Sequence, residues 1–453
     1  MASSIMPLDK LLGEKLIDRA QRHQYRELTQ IKPGTLTDFS SNSYLSLSTH
    51  PTVRADFMRR IMHRYQQSTR SPWPANRLLG SGGSRLLDGN SPLAESMEKD
   101  LATYHRAPAA LFFNSAMEAN TGLISTIPQR EDVFIYDEFI HASMFHGMKL
   151  SKATLALSFA HNVARKPKED EYKDLGIEET SFSSLEEALQ HLLTGHGCDW
   201  FKKGNRNVFI IVEAVYSMNG DVAPLRKIVD VVEEYLPRRN GYIIVDEAHS
   251  TGLFDRGAGL VCHLGLEKHI YARVLGFGKA IDCAGGLVLC SRVVRAFLIN
   301  YSRSFIYTTA MAIPSLISIQ AAYTFLVGKP EEAKELIQQV QKTTLFHVSP
   351  DEPQAPIVPI FTCRPRSLAR HCRASGYSVR AIVAPTVPRG TERVRVCVHA
   401  SNSLDEVKGL CTAIEAWILS QLGLDEDDPD EFNSDDSYSD GGGSNGPAKK
   451  PNL

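Results

Sequence analysis

The chain has 453 residues, 43% hydrophobic and 23% charged, with a formal net charge of −2. That composition fits a globular protein with a large core, and it holds no basic stripe with interleaved aromatics, which argues against nucleic acid as a partner. No apolar run approaches the roughly 20 residues of a membrane span, and the eight cysteines form no CxxC pair, which argues against a disulfide framework or metal site and for a reducing compartment.

The N-terminus, MASSIMPLDKLLGEKLIDRAQ, lacks the continuous apolar segment of a secretory signal and reads as an amphipathic helix. Residues 1–58 are assigned to this helix and an arm. AALFFNSA (109–116) and DVFIYDEF (132–139) read as strands with a helical stretch between them, and the polar run ARKPKEDEYKDLGIEET (164–180) reads as a surface insertion. The clearest unit follows. NVFIIVEAVYS (207–217) is an apolar strand, LRKIVDVVEEYL (225–236) places Leu225, Ile228, Val229, Val232 and Leu236 on one helical face, and GYIIVDEAHS (241–250) is a second apolar strand. Strand, helix, strand is a βαβ unit, and runs this apolar suit parallel strands covered on both faces. Residues 59–325 are therefore assigned to one large α/β domain.

Past it lie the helical stretches AAYTFLVG and PEEAKELIQQVQKTTL (330–345), then the alternating segments PIVPIFTC, YSVRAIV and ERVRVCVHA, and a final helix, LDEVKGLCTAIEAWILSQL. This order suggests a smaller C-terminal α+β domain over 326–422. Residues 425–453 hold nine acids and two lysines, a net −7 that leaves the rest of the chain at +5. The tail 423–453 is expected to be disordered and solvated. Its end, PNL, is not a peroxisomal SKL-type signal, so a cytoplasmic location is expected.

In open parallel sheets ligands bind beyond the carboxyl ends of the strands, where Asp137, Ser217 and Asp246 lie. GFGKAIDCAGG (276–286) adds Lys279 in a turn of small residues. Each signal alone is weak. A single lysine is ordinarily solvated, Asp246 reads equally as a helix cap, and GSGGS (80–84) is not followed by the GK[ST] of a phosphate loop. Lys279, Asp246, His141 in YDEFIHAS and Ser217 in EAVYSMNGD together suit pyridoxal 5'-phosphate. The lysine would react with its aldehyde, the acid would hold its pyridine nitrogen protonated, a ring would stack on its face, and hydroxyls with a helix start would hold its phosphate.

DFSSNSYLSLS, GSGGSRLLDG, LFFNSAMEANTG, YDEFIHASMFHG, EAVYSMNGDVAPL, VDEAHSTGLFDRGAGL, GFGKA, FIYTTA and APTVPRGTERVRV run in order from about 38 to 415. Through them the chain resembles the α-oxoamine synthases, and GSGGSRLLDGNSPLAE resembles their fungal-type 8-amino-7-oxononanoate synthase branch. The resemblance implies a fold-type-I, pyridoxal-phosphate-dependent transferase with a mostly parallel seven-stranded sheet, working as a homodimer with shared active sites. It implies decarboxylative condensation of an L-amino acid, alanine favoured, with an acyl-CoA or other acyl thioester to give an α-amino ketone, in biotin or secondary-metabolite biosynthesis. Lys279 matches the Schiff-base lysine, Asp246 the acid at the pyridine nitrogen, His249 with Ser217 the partners of the ring hydroxyl, and His141 the stacking imidazole. Ser115, Ala116 and Met117 match the phosphate turn, and Thr308 and Thr309 the segment that reaches a neighbouring subunit's phosphate. Asn42 and Arg395 match the pair that clamps the amino-acid carboxylate; no metal is implied. Gly276 stands where the family usually has Ser or Thr, and Val383 where an arginine precedes PTVP, so the acyl donor stays open. An aminotransferase and a non-catalytic partner subunit are the alternatives.

Overall fold

The structure is a computed structural model and describes residues 6–22, 24–26, 28, 34–68, 77–153, 155–166, 181–195, 197–342 and 355–422. Most of the polar run at 164–180 and all of the tail at 423–453 lie outside the described residues.

The chain opens with α1 (Pro7–Gln21), β1 (Thr37–Asp38), α2 (Pro51–Ser68) and α3 (Pro92–Tyr104). Next come β2 (Ala109–Phe113), α4 (Ala116–Thr126), β3 (Val133–Asp137), α5 (Ala142–Leu150), β4 (Leu155–Phe159), α6 (Leu185–Thr194) and α7 (Cys198–Lys202). β5 (Val208–Glu213), α8 (Leu225–Tyr235), β6 (Gly241–Asp246), α9 (Leu260–Leu264), β7 (Ala272–Gly276) and β8 (Gly286–Cys290) follow. Helices α10 (Arg292–Tyr301), α11 (Arg303–Ile306), α12 (Ile313–Gly328) and α13 (Pro330–Lys342) lead to β9 (Ile357–Phe361) and α14 (Pro365–Ala374). The last elements are β10 (Tyr377–Ser378), β11 (Arg380–Ile382), β12 (Arg393–Cys397) and α15 (Leu404–Leu422).

Two compact units result. The larger takes residues 41–358 and 397–402; among the described residues the smaller takes 6–40, 359–396 and 403–422.

The larger unit is built on a seven-stranded sheet of order β2-β8-β7-β6-β5-β3-β4. Strands β4, β3, β5, β6 and β7 are parallel, and β8 runs antiparallel to both β7 and β2. Successive side chains of a strand point to opposite faces, and here both faces are apolar. On β5, Val208, Ile210 and Val212 enter one core while Phe209 and Ile211 enter the other. A strand covered on both faces has no room for polar alternation, which is why these runs read as unbroken hydrophobic stretches. Helix α8 buries Leu225, Ile228, Val229, Val231 and Val232 against the first of those cores.

In the smaller unit β1 pairs with β10 in parallel, and a three-stranded sheet has the order β11-β12-β9. The expected strand YSVRAIV is two short strands, β10 and β11, because its two halves serve different sheets. Helices α14 and α15 bury Leu368, Cys372, Leu410 and Trp417. Helix α1 buries no residue within the chain.

Candidate active site

The carboxyl ends of the parallel strands carry the titratable groups. Asp246 ends β6 and is 5% exposed. Burying a carboxylate without donors is costly, and here two donors reach it. The backbone N–H of Ala248 donates to Oδ1 at 2.7 Å, and Asn120 Nδ2 on α4 donates to Oδ2 at 2.6 Å. Each carboxylate oxygen has a second lone pair, so a further donor can be accepted. Asn120 also donates to Ser143 Oγ at 3.0 Å, and its own Oδ1 is buried without a protein partner.

Electrostatics place His141, Lys279 and Glu213 around this carboxylate. His141 caps the N-terminus of α5, its Nδ1 accepting from the backbone N–H of Ser143 at 3.2 Å. Partial burial is the largest influence on its imidazole and lowers its pKa; Asp246 pulls it up and Lys279 pushes it down. Glu213, at the end of β5, is 3% exposed. Burial holds its pKa well above the usual carboxylate range, Asp246 and Asp137 push it further up, and Lys279 and the backbone N–H of His141 oppose them. Burial and the neighbouring carboxylates therefore favour the protonated form of Glu213.

The start of α4 is seated on two facing glycines. Ser115 is its N-cap, with Oγ accepting from the N–H of Glu118 at 3.1 Å. Gly276 of β7 and Gly286 of β8 are register partners. A Cβ on Gly286 would lie 2.5 Å from the carbonyl carbon and oxygen of Ser115, and one on Gly276 would lie 2.7 Å from Ala248 Cβ and 3.3 Å from Ala116 Cβ. Glycine at 286 lets the backbone of Ser115 and Ala116 approach the sheet this closely, and glycine at 276 leaves room for Ala248 and the Ala116 methyl. Gly276, a departure from the family in sequence, is thus explained by its neighbours: Ala248 and Ala116 fill the space its side chain would need. The first N–H groups of a helix have no intrahelical acceptor, which makes this start a seat for an anion.

Other expected residues fall into a second cluster. Tyr44, fully buried, links the hydroxyl-rich loop before α2 to the segment after β6. Its hydroxyl bonds His249 Nδ1 at 2.8 Å and donates to Asn42 Oδ1 at 3.3 Å. Asp282, three residues past Lys279, accepts from Ser43 Oγ at 2.8 Å and from the N–H of Ser48 at 3.1 Å, so the lysine turn is tied to the same loop. Ser217 lies in a tight hairpin closed by the bridge between Val215 and Val222. Thr308 and Thr309 stand beside their own chain's Asn114, whose Nδ2 donates to Thr308 Oγ1 at 3.1 Å and to the Thr309 carbonyl at 2.9 Å. Arg395 is 8% exposed on β12 in the smaller unit, in register with Arg380. Tyr44, Asn120 and Glu213 join these clusters without being expected from the sequence. A glutamate closing an unbroken apolar strand was the available signal for Glu213, and Tyr44 sits inside SSNSYL.

The observed donors and charges fit pyridoxal phosphate: a buried carboxylate with spare acceptor capacity, a lysine in its field, an imidazole beside both and a closely seated helix start. Among the described residues no group of three or more His, Cys, Asp or Glu side chains is placed to hold a metal ion, and no helix is long and apolar enough to cross a membrane.

The family model "Aminotransferase class I and II" matches residues 35–414. An 8-amino-7-oxononanoate synthase of Emericella nidulans is 44% identical over 92% of this chain and 98% of its own length. An aminoacyl transferase sphA of Byssochlamys spectabilis is 31% identical over 87% of this chain and 83% of its own length. A solved serine palmitoyltransferase of Sphingomonas wittichii superposes with a TM-score of 0.70 at 21% identity, covering 94% of this chain and 100% of that one, and so shares the fold. The chain belongs to the aminotransferase class I and II family, of fold type I, and within it to the α-oxoamine synthases. This family of enzymes depends on pyridoxal phosphate.

Proposed function

We propose that the chain is a pyridoxal-phosphate-dependent C-acyltransferase that condenses an L-amino acid with an acyl thioester. The new bond joins the amino acid's α-carbon to the acyl carbonyl; the thiol and CO2 leave, and an α-amino ketone is the product. The observation that carries this reading is the shared electrostatic field of Lys279, Asp246, His141 and Glu213 at the strand ends, with the α4 start pressed onto Gly276 and Gly286. The 8-amino-7-oxononanoate synthase relative supports it.

When bound, pyridoxal phosphate supplies an aldehyde and a pyridine ring that takes up the electron pair released at the amino acid's α-carbon. Asp246 holds the proton on the pyridine nitrogen, and its two fixed donors keep the carboxylate in place. Lys279 would hold the cofactor through its aldehyde, and its Nζ, when free, would take the α-proton of the amino acid. His141 would lie against the ring. His249, which the Tyr44 hydroxyl bonds at Nδ1, and Ser217 would bond the ring hydroxyl. The backbone of Ser115, Ala116 and Met117 holds the phosphate. The family resemblance assigns Asn42 and Arg395 to the substrate carboxylate, for which a planar guanidinium fork is suited. L-Alanine is the favoured amino acid, after the 8-amino-7-oxononanoate synthase relative. Val383 in place of the arginine before PTVP leaves the acyl group open between a dicarboxylic acyl-CoA and another acyl thioester.

The working unit is a homodimer in which Thr308 and Thr309 reach the second copy's phosphate. Exposed apolar side chains along α1 (Leu8, Leu11, Leu12, Leu16) offer it a surface. Borohydride reduction of the protein with pyridoxal phosphate, followed by peptide mapping, tests the site: the label is expected on Lys279. Thiol release from a mixed acyl-CoA pool, dependent on L-alanine, tests the reaction. A label elsewhere, or thiol release independent of amino acid, would overturn the reading. Transamination remains the second reading on the strength of the family's name, and it would yield a keto acid with no thioester consumed.

A further inference from the structure

Behind the catalytic groups lies an ion cluster that the reaction as described does not use. Asp137 ends β3, beside β5, and its side chain is 1% exposed. His161, just past β4, turns Nδ1 to both Asp137 oxygens, at 2.9 and 3.1 Å, and Nε2 to Asp221 Oδ2. Ionised carboxylates only accept hydrogen bonds, so both ring nitrogens carry protons and the ring is an imidazolium. The surroundings fix its position. The His161 N–H donates to Glu138 Oε1 at 2.9 Å, and Asn162 donates its N–H to Asp137 Oδ2 at 2.7 Å and Nδ2 to Asp221 Oδ2 at 2.9 Å. The ring stacks on Phe139 with centroids 4.6 Å apart and meets Tyr216 edge-on at 4.4 Å.

Its partners lead to the site. Phe139 precedes His141 by two residues. Tyr216 and Asp221 flank Ser217 in the hairpin, which is closed by the Tyr216 N–H donating to the Asp221 carbonyl at 3.0 Å. Asp137 acts electrostatically on Glu213, which in turn senses Asp246 and Lys279.

We propose that His161 is a positioning residue: a fixed imidazolium that ties the end of β3 to the Ser217 hairpin, props the segment carrying His141 through Phe139, and offsets the negative charge behind Asp246. The inference rests on the site reading above. Burial alone would depress the imidazole's pKa, but the hydrogen bonds and charges of Asp137 and Asp221 outweigh it and carry it up to about 10, so the cation persists across the neutral range. Beyond Asp137 and Asp221, Glu138 accepts from the His161 N–H, Tyr216 meets the ring edge-on, and Glu213 feels Asp137 together with Asp246, Lys279 and the backbone N–H of His141.

The test compares the full-length wild type with His161→Gln and Asp221→Asn. Each is checked for folding by thermal melting and then titrated with pH while the visible absorbance of added pyridoxal phosphate is followed. The readout is the midpoint of the change that reports a proton lost beside Lys279. His161→Gln removes a positive charge and is expected to raise the midpoint by about one pH unit. Asp221→Asn removes a negative charge and is expected to lower it. Turnover should fall at least about tenfold in His161→Gln with KM for the amino acid little changed. If His161→Gln does not fold, the downward shift in Asp221→Asn carries the test alone. A role confined to stability would move the melting temperature and leave the midpoints at the wild-type value, and that result overturns the inference. A wild type that gives no visible cofactor absorbance would instead overturn the reading of the site and, with it, this inference.

Discussion

Gly286→Ala is a severe steric test of how the site is built. The added methyl would lie 2.5 Å from the carbonyl carbon and oxygen of Ser115 and 2.6 Å from the amide nitrogen of Ala116. Carbon contacts are comfortable from about 3.5 Å, so the overlap is about 1 Å, and it falls on backbone rather than on a side chain that could rotate away. Overpacking typically costs about 1–3 kcal/mol, and rigid backbone on the other side places this substitution near about 3 kcal/mol. Gly276→Ala meets two methyl groups instead, at 2.7 and 3.3 Å, and should cost about 1–2 kcal/mol. Gly328→Ala, whose added carbon meets nothing within 4 Å, is the control and should stay within about 0.5 kcal/mol of wild type. Urea midpoints followed by far-UV circular dichroism give the order. A fluorescence titration with pyridoxal phosphate should show affinity falling at least about tenfold in Gly286→Ala, because the N–H groups proposed to hold the phosphate move with the helix start. A Gly286→Ala protein with wild-type midpoint and affinity would refute the seating argument.

Lys279→Ala should abolish turnover, and Asp246→Asn should cripple it while cofactor still binds; wild-type-like steady-state rates in either would remove the scheme. Tyr44→Phe deletes the 2.8 Å bond to His249 Nδ1, a loss of about 0.5–1.5 kcal/mol that should appear as up to about a tenfold fall in kcat/KM with the fold intact by circular dichroism. His105 is fully buried between the Ala258 carbonyl and the Tyr323 hydroxyl. Burial, helped by Arg273, lowers its pKa from 6.5 to about 3. The unfolded chain therefore binds a proton that the native chain refuses, so this contribution to stability is complete above pH 6.5 and declines as pH falls toward 3. Denaturant midpoints at pH 7 and pH 5 should show the loss, and His105→Gln should flatten it; an unchanged slope in that variant would contradict the assignment.

Elements covered on both faces were legible in the sequence. β5 and β6 are unbroken apolar runs, and α8 shows its buried stripe at helical spacing. Lys279 and Asp246 were legible because a lysine in a turn of small residues and an acid closing an apolar strand each break a local pattern. The antiparallel entry of β8 between β2 and β7 was not, since nothing local in GLVLC fixes its direction. Neither was the cluster of Asp137, His161 and Asp221, whose members are 24 and 60 residues apart in the chain and meet only through sheet topology. Gly276 was visible as a departure, but its reason lies in Ala248 and Ala116, two methyl groups brought in by other elements.

The central claim is the coupling of decarboxylation to thioester consumption. Purified protein with pyridoxal phosphate, carboxyl-labelled L-alanine and a mixed acyl-CoA pool, assayed for labelled CO2 and free thiol together, tests it directly. The account predicts that both products appear in equal amounts and that neither appears when alanine or the thioester is left out. A keto acid formed without CO2 or thiol would contradict it.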